Sequence, residues 1–102
     1  MVYLYVIYNM QSYPEENMPI NYNFGVVELD VHGLNKTQAK TAIDAGLRKA
    51  DRSVYRIRVI HGYRGGTAIR ELVRKSYKNH PKVLRIEFGL NQGSTDLVLR
   101  EL

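Results

Sequence analysis

No cysteine occurs in the 102 residues. Disulfides, thiolate metal sites and thiol nucleophiles are thereby excluded, and the fold must hold without such staples. Long apolar runs are missing as well. The longest, Val2 to Tyr8, is far short of the ~20 residues that cross a bilayer. It also lacks the basic lead and small-residue cleavage site of a signal peptide. A membrane partner is therefore not expected, and a cytoplasmic location is. Positive charge is missing from one end: residues 1–25 contain no Lys or Arg, and all 15 basic residues lie between Lys36 and Arg100.

What is present fits one folded domain. Hydrophobic residues make up 44% and charged residues 25%, which rules out a disordered, collagenous or coiled-coil chain. This length has room for a single core. The 15 Lys and Arg against 10 Asp and Glu leave a net charge of +5, which favours a polyanionic partner through counterion release.

Composition divides the chain. Residues 1–24 form a tyrosine-rich arm. Val2–Tyr8 has the β-propensity of an extra strand, and residues 11–23, rich in Pro and Asn, read as loop. Such a strand could pair with another chain's edge and make a homodimer. Residues 25–102 read as the compact domain. Val27, Leu29 and Val31 alternate with Glu28, Asp30 and His32, the period of a half-buried strand. Asn35 with Gln38 makes a capping box, and Ala39, Ala42, Ile43, Gly46, Leu47 and Ala50 mark one face of a helix. Ile57 and Val59 alternate with Arg56 and Arg58 in a second strand. A second helix carries Ile69, Leu72, Val73, Ser76 and Tyr77 and is stopped by Pro81, with His80 as its C-terminal cap. Leu84, Ile86 and Phe88 alternate with Arg85 and Glu87, and after a turn at 91–94 a last strand runs from Thr95 to Leu102.

The order β-α-β-α-β-β predicts an α/β two-layer sandwich. Its four-stranded mixed sheet is covered by both helices on one face. Glu28, Asp30, His32, Arg56, Arg58, Arg85 and Glu87 would then line an open face, either as solvated positions or as a basic surface for an extended polyanion.

Two segments carry candidate chemistry. Asp30 and His32 share a strand face, with Cβ atoms roughly 6–7 Å apart. The carboxylate can orient the imidazole for acid/base work, or the pair can hold a divalent cation, Mg²⁺ or Mn²⁺. The plainer reading is a strand end turned by Gly33. The second segment, His61-Gly62-Tyr63-Arg64-Gly65-Gly66-Thr67, joins the second strand to the second helix. Both segments fall at the carboxyl edge of a parallel pair, where ligands bind in such sheets. Gly65 and Gly66 allow close approach of a phosphate, the helix start offers amide donors, Arg64 a donor fork and Tyr63 a stacking surface. The plainer reading is a turn that needs positive φ. Arg70 and Arg74, on the next helix, are placed to reach a nucleic acid backbone.

With Leu29-Asp30-Val31-His32-Gly33, the capped helix, Ile60-His61-Gly62 with its Gly-rich turn, and Asn91-Gln92-Gly93-Ser94-Thr95, the stretch from Val26 to Leu102 resembles the Smr (small MutS-related) domain family. The resemblance implies the same two-layer sandwich, similar to the C-terminal domain of translation initiation factor three. It also implies nucleic acid binding, with nicking or endonuclease activity on DNA or RNA in several members. The family's catalytic positions match Asp30 and His32, and its Gly-rich loop matches Gly62, Gly65 and Gly66, with His61 ahead of them. Arg64 stands where the family's loop usually has its second glycine. Two functions are expected from this surface: an endonuclease with His32 as acid or base, or a non-catalytic module that binds RNA or the ribosome.

Overall fold

Alternation along the strands puts their apolar side chains on one side of a mixed sheet. The computed structural model describes residues 21–23, 25–88 and 91–101. They form β1 (Asn21–Asn23), β2 (Val26–Asp30), α1 (Lys36–Lys49), β3 (Arg56–Ile60), α2 (Ala68–Ser76), β4 (Arg85–Phe88) and β5 (Ser94–Val98). The sheet order is β1-β2-β3-β5-β4, with β2 and β3 parallel and every other pair antiparallel. The expected four-stranded mixed sheet under two helices is there. One strand is added at its edge: Asn21–Asn23, expected as loop, pairs antiparallel with Val26–Glu28. The Val2–Tyr8 strand, and the dimer built on it, lie outside the described residues.

Both helices pack on the face that carries Val27, Leu29, Ile57, Val59 and Leu97. Together with Ile43, Leu47, Val73 and Tyr77, these residues are at most 4% exposed, and each large aliphatic among them contributes roughly 1.5–3 kcal/mol by leaving water. Gly46 lets α1 lie close on the sheet, because a Cβ there would sit 3.3 Å from Leu29 Cδ2. The capping box that starts α1 is formed on both sides. Asn35 Oδ1 accepts from Gln38 N (2.8 Å) and Gln38 Oε1 accepts from Asn35 N (3.1 Å). The two helices are tied together where Tyr77 Oη donates to Asp44 Oδ1 at 2.6 Å. Burial there, and the neighbouring carboxylate, push the Tyr77 phenol well above its usual range.

α2 ends sooner than Pro81 alone would dictate. Its last helical residue is Ser76, with Tyr77 as C-cap. His80 is therefore not a helix cap; its Nδ1 accepts from Lys82 N (3.0 Å) in the connection to β4.

The opposite face of the sheet is a lattice of ion pairs. Arg58, Asp96 and Glu87 face one another across three strands, as do Arg56, Val98 and Arg85. Asp96, 3% exposed as a side chain, receives Arg56 Nη1 (2.7 Å) and Arg58 Nε (3.1 Å). Glu87 takes Arg56 and Arg85, Glu101 takes Arg85, and Glu28 lies 3.8 Å from Arg58. Three guanidiniums thus meet four carboxylates, and the cluster carries one net negative charge.

Candidate functional site

A parallel pair of strands sends both carboxyl ends, and the helices that follow them, to one edge of the sheet. β2 ends at Asp30 and β3 at Ile60, which are register partners. Residues 32–36 and 60–69 therefore meet, and with Asn91 and Gly93 they enclose a cleft of about 720 Å³. Gly62 and His32 are neighbours on it: a Cβ on Gly62 would lie 3.6 Å from His32 Cβ. The Asp-x-His segment and the glycine loop, far apart in sequence, share one rim.

His32 lines the cleft and its side chain is 60% exposed, whereas Asp30 stands behind it, 23% exposed. Asp30 Oδ1 accepts from His32 N (3.1 Å) and from His32 Nδ1 (2.5 Å). An ionised carboxylate only accepts, so this contact keeps the ring's proton on Nδ1 and fixes the imidazole against the turn. Asp30 positions and His32 presents.

His61 has a different task. Only 5% exposed, it donates from Nδ1 to Gly62 O (2.7 Å), and Nε2 accepts from the Thr95 hydroxyl (2.9 Å). The same hydroxyl accepts from Arg74 Nε at 3.1 Å. Burial pushes the His61 imidazole below its ordinary pKa. Arg74 and Arg70 add repulsion, against an opposing pull from the Gly62 carbonyl. A neutral His61 thus pins the first glycine of the loop to β5. Gly62 sits at φ +75°, and Gly66 closes the loop at φ +116°, values that a side chain would resist. Gly93 O accepts from both His61 N and Gly62 N (2.9 Å each), so the turn before β5 is the loop's second anchor.

The charged side chains that line the cleft are of one sign. Lys36 and Arg64 line it, and no carboxylate does so among the described residues. Both helices begin there. In α2 the first intrahelical bond is Glu71 N to Thr67 O (2.9 Å), so the amides of Ala68, Ile69 and Arg70 precede the ladder. The Thr67 hydroxyl turns away from them to Glu71 Oε2 (2.7 Å). Leu34, Ile60, Ala68 and Ile69 supply the apolar part of the wall.

Of the residues singled out in the sequence, His32 and His61 to Gly66 line the cleft, while Asp30 and Thr67 border it. Arg70 and Arg74 flank it on α2, and Arg56 and Arg58 lie on the sheet's other face with Asp96. Asn35 was legible as a cap but not as cleft wall. Asn91 and Gly93 were legible only as a turn.

No group of three or more His, Asp or Glu is gathered among the described residues. Asp30 and His32 offer one carboxylate and one imidazole bonded to each other, so a Mg²⁺ or Mn²⁺ ion there would take the rest of its shell from water and a substrate's phosphates.

The family model of the Smr domain matches residues 29–96. No curated protein matches the chain. Among solved structures, the Smr domain of Thermus thermophilus MutS2 is similar, with a TM-score of 0.66 and 25% sequence identity. That match covers 72% of this chain and 98% of the other.

Proposed function

For this chain, which belongs to the Smr domain family, we propose a nucleic-acid-binding domain that cleaves phosphodiester bonds at the carboxyl-edge cleft. The observation that carries it is the meeting of His32 with the Gly62–Gly66 loop around a cleft whose charged side chains are all cationic. A backbone phosphate seated against the loop would face the amides at the start of α2 and the positive end of the helix. Arg64 would stabilise the charge that develops on the phosphoryl oxygens. His32, with its Nδ1 proton fixed on Asp30, would take a proton from the attacking oxygen through Nε2 and return it to the leaving oxygen as the P–O bond breaks. Proton transfer of this kind contributes typically 10²–10⁴-fold.

Labelled DNA, labelled RNA and supercoiled plasmid, each incubated with the full chain in Mg²⁺, Mn²⁺ and chelator, provide the test. Cleavage by the parent should fall at least about 100-fold in His32→Ala and by a similar factor in Asp30→Asn, with binding and thermal stability retained. Equal cutting by both variants would refute the roles assigned to them. Salt-dependent binding with no product under any condition would refute the cleavage step and leave a module that only binds.

A further inference from the structure

β4 ends in an aromatic ring that the core does not use. Phe88 pairs with Thr95, and Thr95 with Val59. The row continues to Leu29, and Leu29, Val59 and Thr95 are at most 1% exposed, whereas Phe88 is 72% exposed. Two helices cover the inner strands, and the row runs out past them. One face of the ring is occupied: the Arg74 guanidinium lies over it, its carbon 4.1 Å from the centroid. That guanidinium is itself held, since Nε donates to the Thr95 hydroxyl, which bonds to His61 Nε2. Phe88 and Arg74 thus make two stacked planar layers joined by one hydroxyl to the histidine that pins the cleft's loop.

A second exposed ring lies close by. Tyr63 is 44% exposed, and its Cδ1 is 3.6 Å from the position of a Gly93 Cβ. Among residues 25–88 and 91–101, Tyr63 and Phe88 are the only exposed Tyr or Phe rings. Both border the connection between β4 and β5, one in contact with Gly93 and one at the strand leading into it.

We propose that Phe88, backed by Arg74, is a stacking platform for an unpaired nucleobase, so that the nucleic acid taken by the cleft is single-stranded where it passes β4. This rests on the nucleic-acid reading of the cleft and adds the substrate's form to it. A duplex keeps its base faces stacked on each other, whereas an unpaired base offers a face to an aromatic ring. The underlying guanidinium strengthens the layer through its own attraction to the ring and places a cation where the strand's phosphates follow the base. Every base has a π-face, so the platform holds a position without selecting a sequence.

Short fluorescein-labelled oligo-dT and oligo-U, and a hairpin duplex, are titrated against the full chain and followed by anisotropy. Phe88→Ala should weaken both single strands about tenfold and the duplex less than about twofold, and Phe88→Tyr should restore them. The chain has no tryptophan, so Phe88→Trp places a lone indole at the platform. Its emission should be quenched as single strand binds, and the two sugars compared separate DNA from RNA as the source of the base. Parent-like single-strand affinity in Phe88→Ala, or an unchanged indole at saturation, would overturn the platform while leaving the cleft's reading intact. No binding of any oligonucleotide by the parent would overturn both.

Discussion

Arg58 and Arg64 stand near opposite ends of the same strand-to-loop segment, and their surroundings differ in kind. Arg58 lies on a sheet face where Asp96, Glu87, Glu28 and Glu101 outnumber the guanidiniums they meet. Arg64 lies on a cleft with Lys36 and no carboxylate among the described lining residues. A net charge of +5 is therefore distributed unevenly: the open face spends its arginines on holding β3, β4 and β5 together, and the carboxyl edge keeps an excess. A basic composition reports that positive charge exists. Where carboxylates fall in the register decides whether a ligand can meet it.

The sharpest way to break that contrast is to remove the carboxylate at the centre of the lattice. Asp96→Ala leaves Arg56 and Arg58, whose side chains are 19% and 23% exposed, facing each other without the buried partner they share. Breaking a fully buried pair costs ~3–5 kcal/mol, and partial exposure of the guanidiniums lowers this to roughly 2–4 kcal/mol. Urea unfolding should show the midpoint falling accordingly. Arg64→Ala, measured alongside, should stay within ~0.5 kcal/mol of the parent. Equal midpoints for the two variants would mean that the open face is no more structural than the cleft.

Much of this arrangement was legible in the sequence, and the part that was not has a common cause. The alternation of Val27 and Leu29 with Glu28 and Asp30, and of Ile57 and Val59 with Arg56 and Arg58, is local, so the two parallel strands and their inner faces could be read directly. A parallel crossover then puts both carboxyl ends on one edge, which is enough to bring His32 to Gly62. Asn35 and Gln38 likewise announce the start of α1 by chemistry within one turn. Asn21–Asn23 carries turn-forming residues and becomes a strand only because the edge of β2 is open to pair with it, a tertiary preference that overrides propensity. The Asp96 pairs span 38 and 40 positions and exist only once β5 is placed beside β3. The same placement makes cleft wall of Asn91 and Gly93, and leaves Phe88 at the outer edge.

A smaller effect belongs to His61. His61 stays neutral in the fold because burial and two nearby arginines disfavour its charged form, while in the unfolded chain it protonates near pH 6.5. The unfolded state then binds more protons below that pH. The stability His61 contributes is present above about pH 6.5 and is lost as pH falls toward the depressed folded value. Stability should therefore fall as the pH drops from about 7.5 to 5.5. In His61→Gln, which titrates nothing, that part of the pH dependence should vanish from the urea midpoints. A parent and a His61→Gln protein with parallel pH curves would show that the buried ring is not held neutral.

The finest discrimination uses salt. Arg58→Gln and Arg64→Gln each remove one positive charge, and so are alike in any account based on net charge. If the cleft seats the phosphates, Arg64→Gln removes a contact that releases a counterion. The slope of log affinity against log salt should then flatten by ~0.7 on single strands and ~0.9 on duplex. Lys36→Gln should do the same. Arg58→Gln should leave the slope unchanged and lower stability by about 1 kcal/mol instead, since Asp96 loses one of two donors. A flattened slope in Arg58→Gln would put nucleic acid on the open face, because a guanidinium that remains paired to Asp96 in the complex displaces no phosphate counterion.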